Sequence, residues 1–89
     1  MEDEMAKRIV LGVQVTKRVQ NVPLVQSILT EYGCNIKTRL GLHEVTDSSC
    51  STIGLLIIET YGDEKLILEM EAKLKAVQGI VIQKMVFEQ

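Results

Sequence analysis

Eighty-nine residues, 46% of them hydrophobic and only one a proline, predict one folded domain rather than a disordered chain. The net charge of −2, the lack of a basic stripe and an aromatic content of 3% argue against nucleic-acid binding. The chain has no apolar run of about 20 residues that could span a membrane. Its acidic start lacks the apolar segment of a secretory signal, so we expect a cytoplasmic protein whose two cysteines are thiols.

The first half of the chain predicts a strand followed by a helix. "KRIVLGVQV" (7–15) alternates in the two-residue period of a β-strand. "NVPLVQSILTEYG" (21–33) has one apolar face at helical spacing. Asn21 can cap this helix, Pro23 is tolerated in its first turn, and Gly33 is a suitable stop.

The remaining elements are two strands, a helix and a final strand. "NIKTRLGLH" (35–43) alternates, whereas "STIGLLIIETY" (51–61) is apolar on both faces. "GDEKLILEMEAKLKAVQG" (62–79) has acids near its start and lysines near its end, as a helix dipole favours. "IVIQKMVFE" (80–88) is the last predicted strand.

The order strand, helix, strand, strand, helix, strand is that of the ferredoxin-like βαββαβ fold, an α+β architecture. Right-handed crossovers place both helices on one face of a four-stranded antiparallel sheet. We expect this domain to occupy residues 7–89, with residues 1–6 as an acidic extension.

The second face of the sheet is then left open, and alternation predicts which residues lie on it. The residues assigned to the helix-covered face are Ile9, Leu11, Val13, Leu40, Leu42, Ile53, Leu55 and Ile57. The same parity puts Gly12, Gly41 and Gly54 on the open face. For the last strand two parities remain, one exposing Val81, Met85 and Phe87 and the other Ile80, Ile82 and Val86.

A wide apolar sheet face indicates an interface, and strand glycines often mark a close approach by another backbone or a ligand. We therefore predict a homo-oligomer, a dimer or a tetramer, with sheets stacked through the glycine-rich region. The alternative is that the glycines only relieve twist or form bulges. The residues predicted at the interface are Val10, Gly12, Gly54, Leu56 and Ile58.

"YGCNIKTRLGL" (32–42) resembles a segment of a small family of iron-only hydrogenase system regulators. The resemblance extends over residues 7–88 and includes "IVLGVQV", "IIETYGDEKL" and "QGIVIQKMVF". It implies an ACT-like ferredoxin fold, similar to the effector-binding half of nickel-responsive repressors. It also implies a regulatory role without a DNA-binding domain.

Two features of related proteins are missing from the chain. Amino-acid-binding ACT domains have an Asp-x-Pro-Gly turn after the first strand, where this chain reads "TKRVQNVPL". The single histidine, His43, cannot reproduce the three-histidine nickel cluster of the repressors. His43 and Cys50 flank the predicted hairpin loop and could approach each other, but Cys34 lies at the far end of the strand. We therefore predict no metal site and no cofactor.

Lys37 and Arg39 are predicted on the open face beside Gly41. Two cations on an apolar face are costly unless they are paired. They can bind an anionic ligand, pair with Glu59 or Glu88 of a partner, or protect a sheet edge. We name Lys37, Arg39 and Gly41 as the candidate ligand contacts, because the family resemblance is centred on them.

Motifs of known enzyme classes are absent, so we expect no catalytic activity. The preferred hypothesis is an oligomeric, ACT-like regulatory module that senses a small molecule, as a regulator of an iron-only hydrogenase system. The alternative is a ligand-free adaptor that docks on a partner regulator or a metalloenzyme maturation factor.

Overall fold

A computed structural model describes residues 7–16, 22–45 and 50–88, with backbone alone for 42–45 and 50–53. The elements follow the predicted order, with a short 3-10 turn between the first helix and the second strand. They are β1 (Arg8–Val15), α1 (Val22–Glu31), β2 (Ile36–Val45), β3 (Cys50–Thr60), α2 (Glu64–Lys75) and β4 (Ile80–Phe87).

The four strands form one antiparallel sheet in the order β2-β3-β1-β4. This order and the two helices confirm the predicted ferredoxin-like α+β fold. β2 and β4 are the edge strands, and β1 and β3 form the centre. Within the described ranges, neither helix is long and apolar enough to cross a membrane.

The hydrophobic core lies between the helices and one face of the sheet. Leu11 and Val13 of β1 pack with Met70 and Leu74 of α2, and none of these side chains is exposed. Burying a side chain of this size contributes roughly 1.5–3 kcal/mol. The rest of the core is Ile9, Val25, Ile28, Leu29, Tyr32, Ile58, Ile67, Val77, Ile80 and Ile82.

The predicted apolar faces of both helices are the ones that are buried, except at their first turns. Val22 and Leu66, which lie at the helical spacing of these apolar faces, are exposed. The proposed Asn21 cap lies outside the described residues. Asp63 caps α2, because its carboxylate accepts a hydrogen bond of 2.9 Å from the amide of Lys65.

The predicted parity of β3 was wrong. Ile58 pairs with Leu11 and is fully buried, so it faces the helices. Leu56 packs against the core on the same side, and Gly54 shares that parity. Gly54, Leu56 and Ile58 therefore do not lie on the open face. The cause is that β3 is apolar at almost every position, so alternation gave no means of choosing its buried side.

The predicted parity of β2 was wrong beyond its first residue. Ile36 pairs with Thr60 and Thr38 pairs with the adjacent Glu59, so Lys37 forms a bulge. An extra residue shifts every later side chain to the opposite face. Arg39 and Gly41, which pair with Ile58 and Leu56, consequently lie on the helix side rather than on the open face.

The open face is nevertheless apolar. Leu40 is 52% exposed and Met85 is 55% exposed, at opposite edges of the sheet. Between them Gly12 pairs with Ile57 on one side and Gln83 on the other. The described apolar side chains on this face are Val10, Leu40, Leu55, Ile57, Val81, Met85 and Phe87.

Candidate functional site

Arg39 is placed by β2 at the edge of the helix side. Its Nη2 donates a hydrogen bond of 2.9 Å to Oε1 of Gln26 in α1. In the part of the chain that the structure describes, no carboxylate forms an ion pair with Arg39. A guanidinium has five N–H donors in a planar fork suited to carboxylate and phosphate groups. Arg39 therefore has donors left for an anion.

Gly41 lies two residues along β2 on the same side as Arg39. A Cβ at this position would meet Cδ2 of Leu56 at 3.4 Å. Because glycine carries no side chain, position 41 leaves the half-buried Leu56 uncovered on this side, two residues along β3 from the register partner of Arg39. The pair thus offers a cation beside a small apolar surface, a combination that suits an anion with an apolar part.

Lys37 is separated from this pair by the bulge. Its Nζ lies 4.0 Å from Oε2 of Glu59, and Thr38 donates a hydrogen bond of 3.1 Å to Oε1 of the same carboxylate. Glu59 is the register partner of Val10, on the open side. The expectation that Lys37 and Arg39 share one face was wrong, and the ion-pair partner of Lys37 is an acid of its own chain.

A second polar cluster joins the two helices. Nζ of Lys73 lies 2.9 Å from the Glu31 carboxylate and 5.1 Å from the centre of the Tyr32 ring. Hydrogen bonding to Glu31, and then to Tyr32, raises the pKa of Lys73. Tyr32 in turn donates to Glu69 at 3.4 Å. Lys73 stays protonated and already forms an ion pair. This cluster therefore holds α1 and α2 together and is not a site for an anion.

Cys34 precedes β2, at the end of that strand opposite to the hairpin. The exposed Cys34 is a free thiol between α1 and β2. His43 pairs with Gly54 and Val45 pairs with Cys50. His43 and Cys50 therefore lie towards the hairpin end of the sheet, away from Cys34. Among described residues, no group of three His, Cys, Asp or Glu side chains could hold a metal ion. The side chains of His43 and Cys50 are outside that description.

Arg39 and Gly41 were candidate ligand contacts from the sequence, and their role as contacts stays a prediction, whereas Gln26 was not among the candidates. Gln26 is an exposed polar residue of α1, and only the packing of α1 over β2 brings its amide to the guanidinium. Of the predicted interface residues, Val10 and Gly12 lie on the open face, where their role as contacts stays a prediction.

Comparison with solved structures supports the fold assignment. The uncharacterized protein TM1266 from Thermotoga maritima superposes with a TM-score of 0.72, at 18% identity over 91% of this chain and 98% of that one. CPII, a nitrogen regulatory PII-like protein from Thiomonas intermedia K12 bound to ADP, AMP and bicarbonate, gives 0.51 at 11% identity over 94% and 96%. No protein-family model and no curated protein matches the chain. These similarities show a ferredoxin-like fold, and neither structure names a hydrogenase regulator.

Proposed function

We propose that the chain is a small regulatory module that binds an anionic small molecule beside Arg39 and Gly41 and acts as a homo-oligomer. The observation that carries the proposal is the Arg39 guanidinium, hydrogen-bonded to a neutral amide on the strand where Gly41 leaves the half-buried Leu56 without a covering side chain. CPII, which has a related fold, is a regulatory protein that binds ADP, AMP and bicarbonate, all of them anions. Lys37 is left out of the site, since the bulge separates it from Arg39.

The oligomer in this proposal forms by stacking of the open sheet faces. A contiguous apolar sheet surface is unfavourable in water and usually marks an interface. Val10 and Gly12 lie at the centre of this surface, with Leu40 and Met85 near its margins. The family resemblance of residues 32–42 further suggests that the regulated process is an iron-only hydrogenase system. A non-enzymatic role agrees with the lack of catalytic motifs in the sequence.

Binding of AMP, ADP, bicarbonate and inorganic phosphate to the full chain by isothermal titration calorimetry tests the anion site. We expect Arg39→Gln to weaken the binding of the preferred anion by about 10- to 100-fold, the effect of losing hydrogen bonds to a charged group. Lys37→Gln is the matched control, because it removes the same charge from β2 but on the other side of the bulge. Failure of all four anions to bind, or equal losses in both variants, would contradict the assignment.

A ligand-free adaptor is the second candidate, and the exposed open face is what favours it. A regulator or a metalloenzyme maturation factor could cover the same apolar side chains. Native mass spectrometry of the purified chain distinguishes the two. An oligomer that retains a reproducible small-molecule mass supports the sensor, whereas a bare monomer that binds no anion in calorimetry favours the adaptor.

A further inference from the structure

The two edges of the sheet are protected to very different degrees. β2 carries the Lys37 bulge, a second register irregularity between His43 and Val45, and the charge of Arg39. Bulges and basic residues are the usual means by which an edge strand avoids pairing with another strand. β4 has no bulge, because it pairs with β1 in unbroken register over eight residues, and it contains no proline and one basic residue, Lys84.

The single charge of β4 is already neutralised. Nζ of Lys84 lies 2.9 Å from Oε1 of Glu71, on the helix side. No described residue pairs with the outer edge of β4, because β4 is the last strand of the sheet order. This edge therefore offers a row of backbone donors and acceptors, and its one charged side chain, Lys84, is held in an ion pair on the helix side.

Apolar side chains surround this edge on both faces of the sheet. Met85 and Phe87 are exposed on the open side, and Val86, 41% exposed, is on the helix side opposite Ile9. Leu68, 38% exposed, precedes Glu71 by one turn of α2 and so lies on the same flank. Stacking on the open face would cover Met85 and Phe87 but would leave Val86 and Leu68 in water. If a strand from another subunit paired with β4, that strand and its helices would cover the edge on both the open side and the helix side.

We propose that a second copy of the chain pairs antiparallel with β4, which continues the sheet across a two-fold axis normal to it. Such symmetry places one residue directly opposite its own copy. The two positions that give the largest overlap of Ile80–Phe87 are Gln83 and Lys84. Pairing centred on Lys84 would set two lysines face to face, which is unfavourable. The axis therefore passes beside Gln83, with Val81 opposite Met85 of the second copy.

The helix layer supports the same arrangement. The axis brings the two α2 helices side by side and antiparallel, so that the acidic first turn of each lies towards the basic last turn of the other. Glu64, which also pairs with Lys7 at 3.3 Å, is in the first turn and Lys75 is in the last. Lys75 follows Glu71 by one turn on the β4 flank, and within the described residues it has no ion-pair partner. Opposite charges thus face each other across the axis.

Sedimentation velocity of the full chain over a range of concentrations tests the edge interface. Val86→Lys places a charge on the helix side of the edge, outside the open face. We expect it to abolish the association through β4, so that the largest oligomer seen in sedimentation contains fewer subunits. Leu40→Lys is the matched control, because it adds the same charge to the open face at the opposite edge. If only Leu40→Lys lowers the association state, sheet stacking stands and the edge proposal fails. If only Val86→Lys does so, the edge proposal stands and stacking fails.

A cross-linking measurement keeps the proposal testable even if Val86→Lys does not fold. In a Cys34→Ser, Cys50→Ser background, Gln83→Cys should form a disulfide-linked dimer rapidly, since opposed residues of neighbouring strands lie within disulfide reach. Gln78→Cys is the control, because Gln78 lies in the turn before β4 and its copies would be at opposite ends of the paired strands. Equal cross-linking at both positions, or a wild-type chain that stays monomeric, would overturn the proposal.

Discussion

Thr60 is a buried polar residue at the end of β3. It is 8% exposed, and its hydroxyl donates a hydrogen bond of 2.7 Å to the carbonyl of Ile9 in β1. Thr38 makes a comparable bond to Glu59, but at an exposed position. A buried bond of this kind contributes more than an exposed one, because breaking it leaves an acceptor without water. The two threonines therefore form a natural pair for comparison.

We expect Thr60→Val to lower the free energy of unfolding by about 1–2 kcal/mol, as an unpaired buried carbonyl remains while the side-chain shape is kept. Thr38→Val should change it by less than about 0.5 kcal/mol. Urea unfolding at one fixed protein concentration measures both. Equal effects of the two substitutions would mean that the buried Thr60 hydrogen bond contributes no more to stability than the exposed Thr38 bond.

At the scale of single elements, the start of α2 is specified by two neighbouring residues. Gly62 has a φ of 95°, in the region that favours glycine, and turns the chain out of β3. Asp63 then caps the helix through the amide of Lys65. Tyr61, just before the turn, exchanges hydrogen bonds with Asn35, which ties this turn to the one that precedes β2.

Asp63→Ala should destabilise the chain by about 1 kcal/mol because one of the free amides at the helix start loses its acceptor. Asp63→Asn keeps a side-chain oxygen at the cap and should cost only about a few tenths of a kcal/mol. Denaturant unfolding followed by circular dichroism gives both values. A loss as large for asparagine as for alanine would point to the charge, rather than the cap, as the stabilising feature.

The elements themselves were predictable because apolar spacing differs between helices and strands. The side of the sheet on which each residue of β2 and β3 lies was not predictable. One bulged residue, Lys37, reverses the side on which Arg39 and Gly41 lie, and bulges carry no clear mark in such a sequence. β3 has apolar residues on both sides, so Ile58 and Ile57 look alike until the register with Leu11 is known. The anion site that we propose includes the hydrogen bond from Arg39 to Gln26, which only tertiary packing brings to Arg39.

At the scale of the whole molecule, association is the property that the open face should control. Gly12 lies at its centre, and a Cβ there would meet only the carbonyl of Gln83, at an ordinary contact distance of 3.8 Å. The single subunit can therefore accept an alanine at this position. A stacked partner cannot approach as closely once the methyl group is present.

For Gly12→Ala we expect unfolding of the subunit to be unchanged or more costly by about 0.5 kcal/mol, since alanine restricts the unfolded chain. We also expect weaker self-association by roughly tenfold, equivalent to about 1.4 kcal/mol. Gly33→Ala is the control, because a Cβ at Gly33 meets nothing within 4 Å and the residue is outside the open face. Sedimentation equilibrium measures the association. A dissociation constant unchanged by Gly12→Ala would remove Gly12 from the contact.

The pairing of β1 with β4 has a consequence for synthesis of the chain. β1 is a central strand, yet one of its two neighbours is the last to be made, with Arg8 opposite Phe87. Until Phe87 has left the ribosome, one side of β1 has no strand to bond to, and Ile9, Leu11 and Val13 cannot be fully enclosed. Loops of this length close slowly. The nascent chain must therefore hold this central strand in an incomplete sheet until translation of the domain is finished, the interval in which a holdase chaperone would protect it.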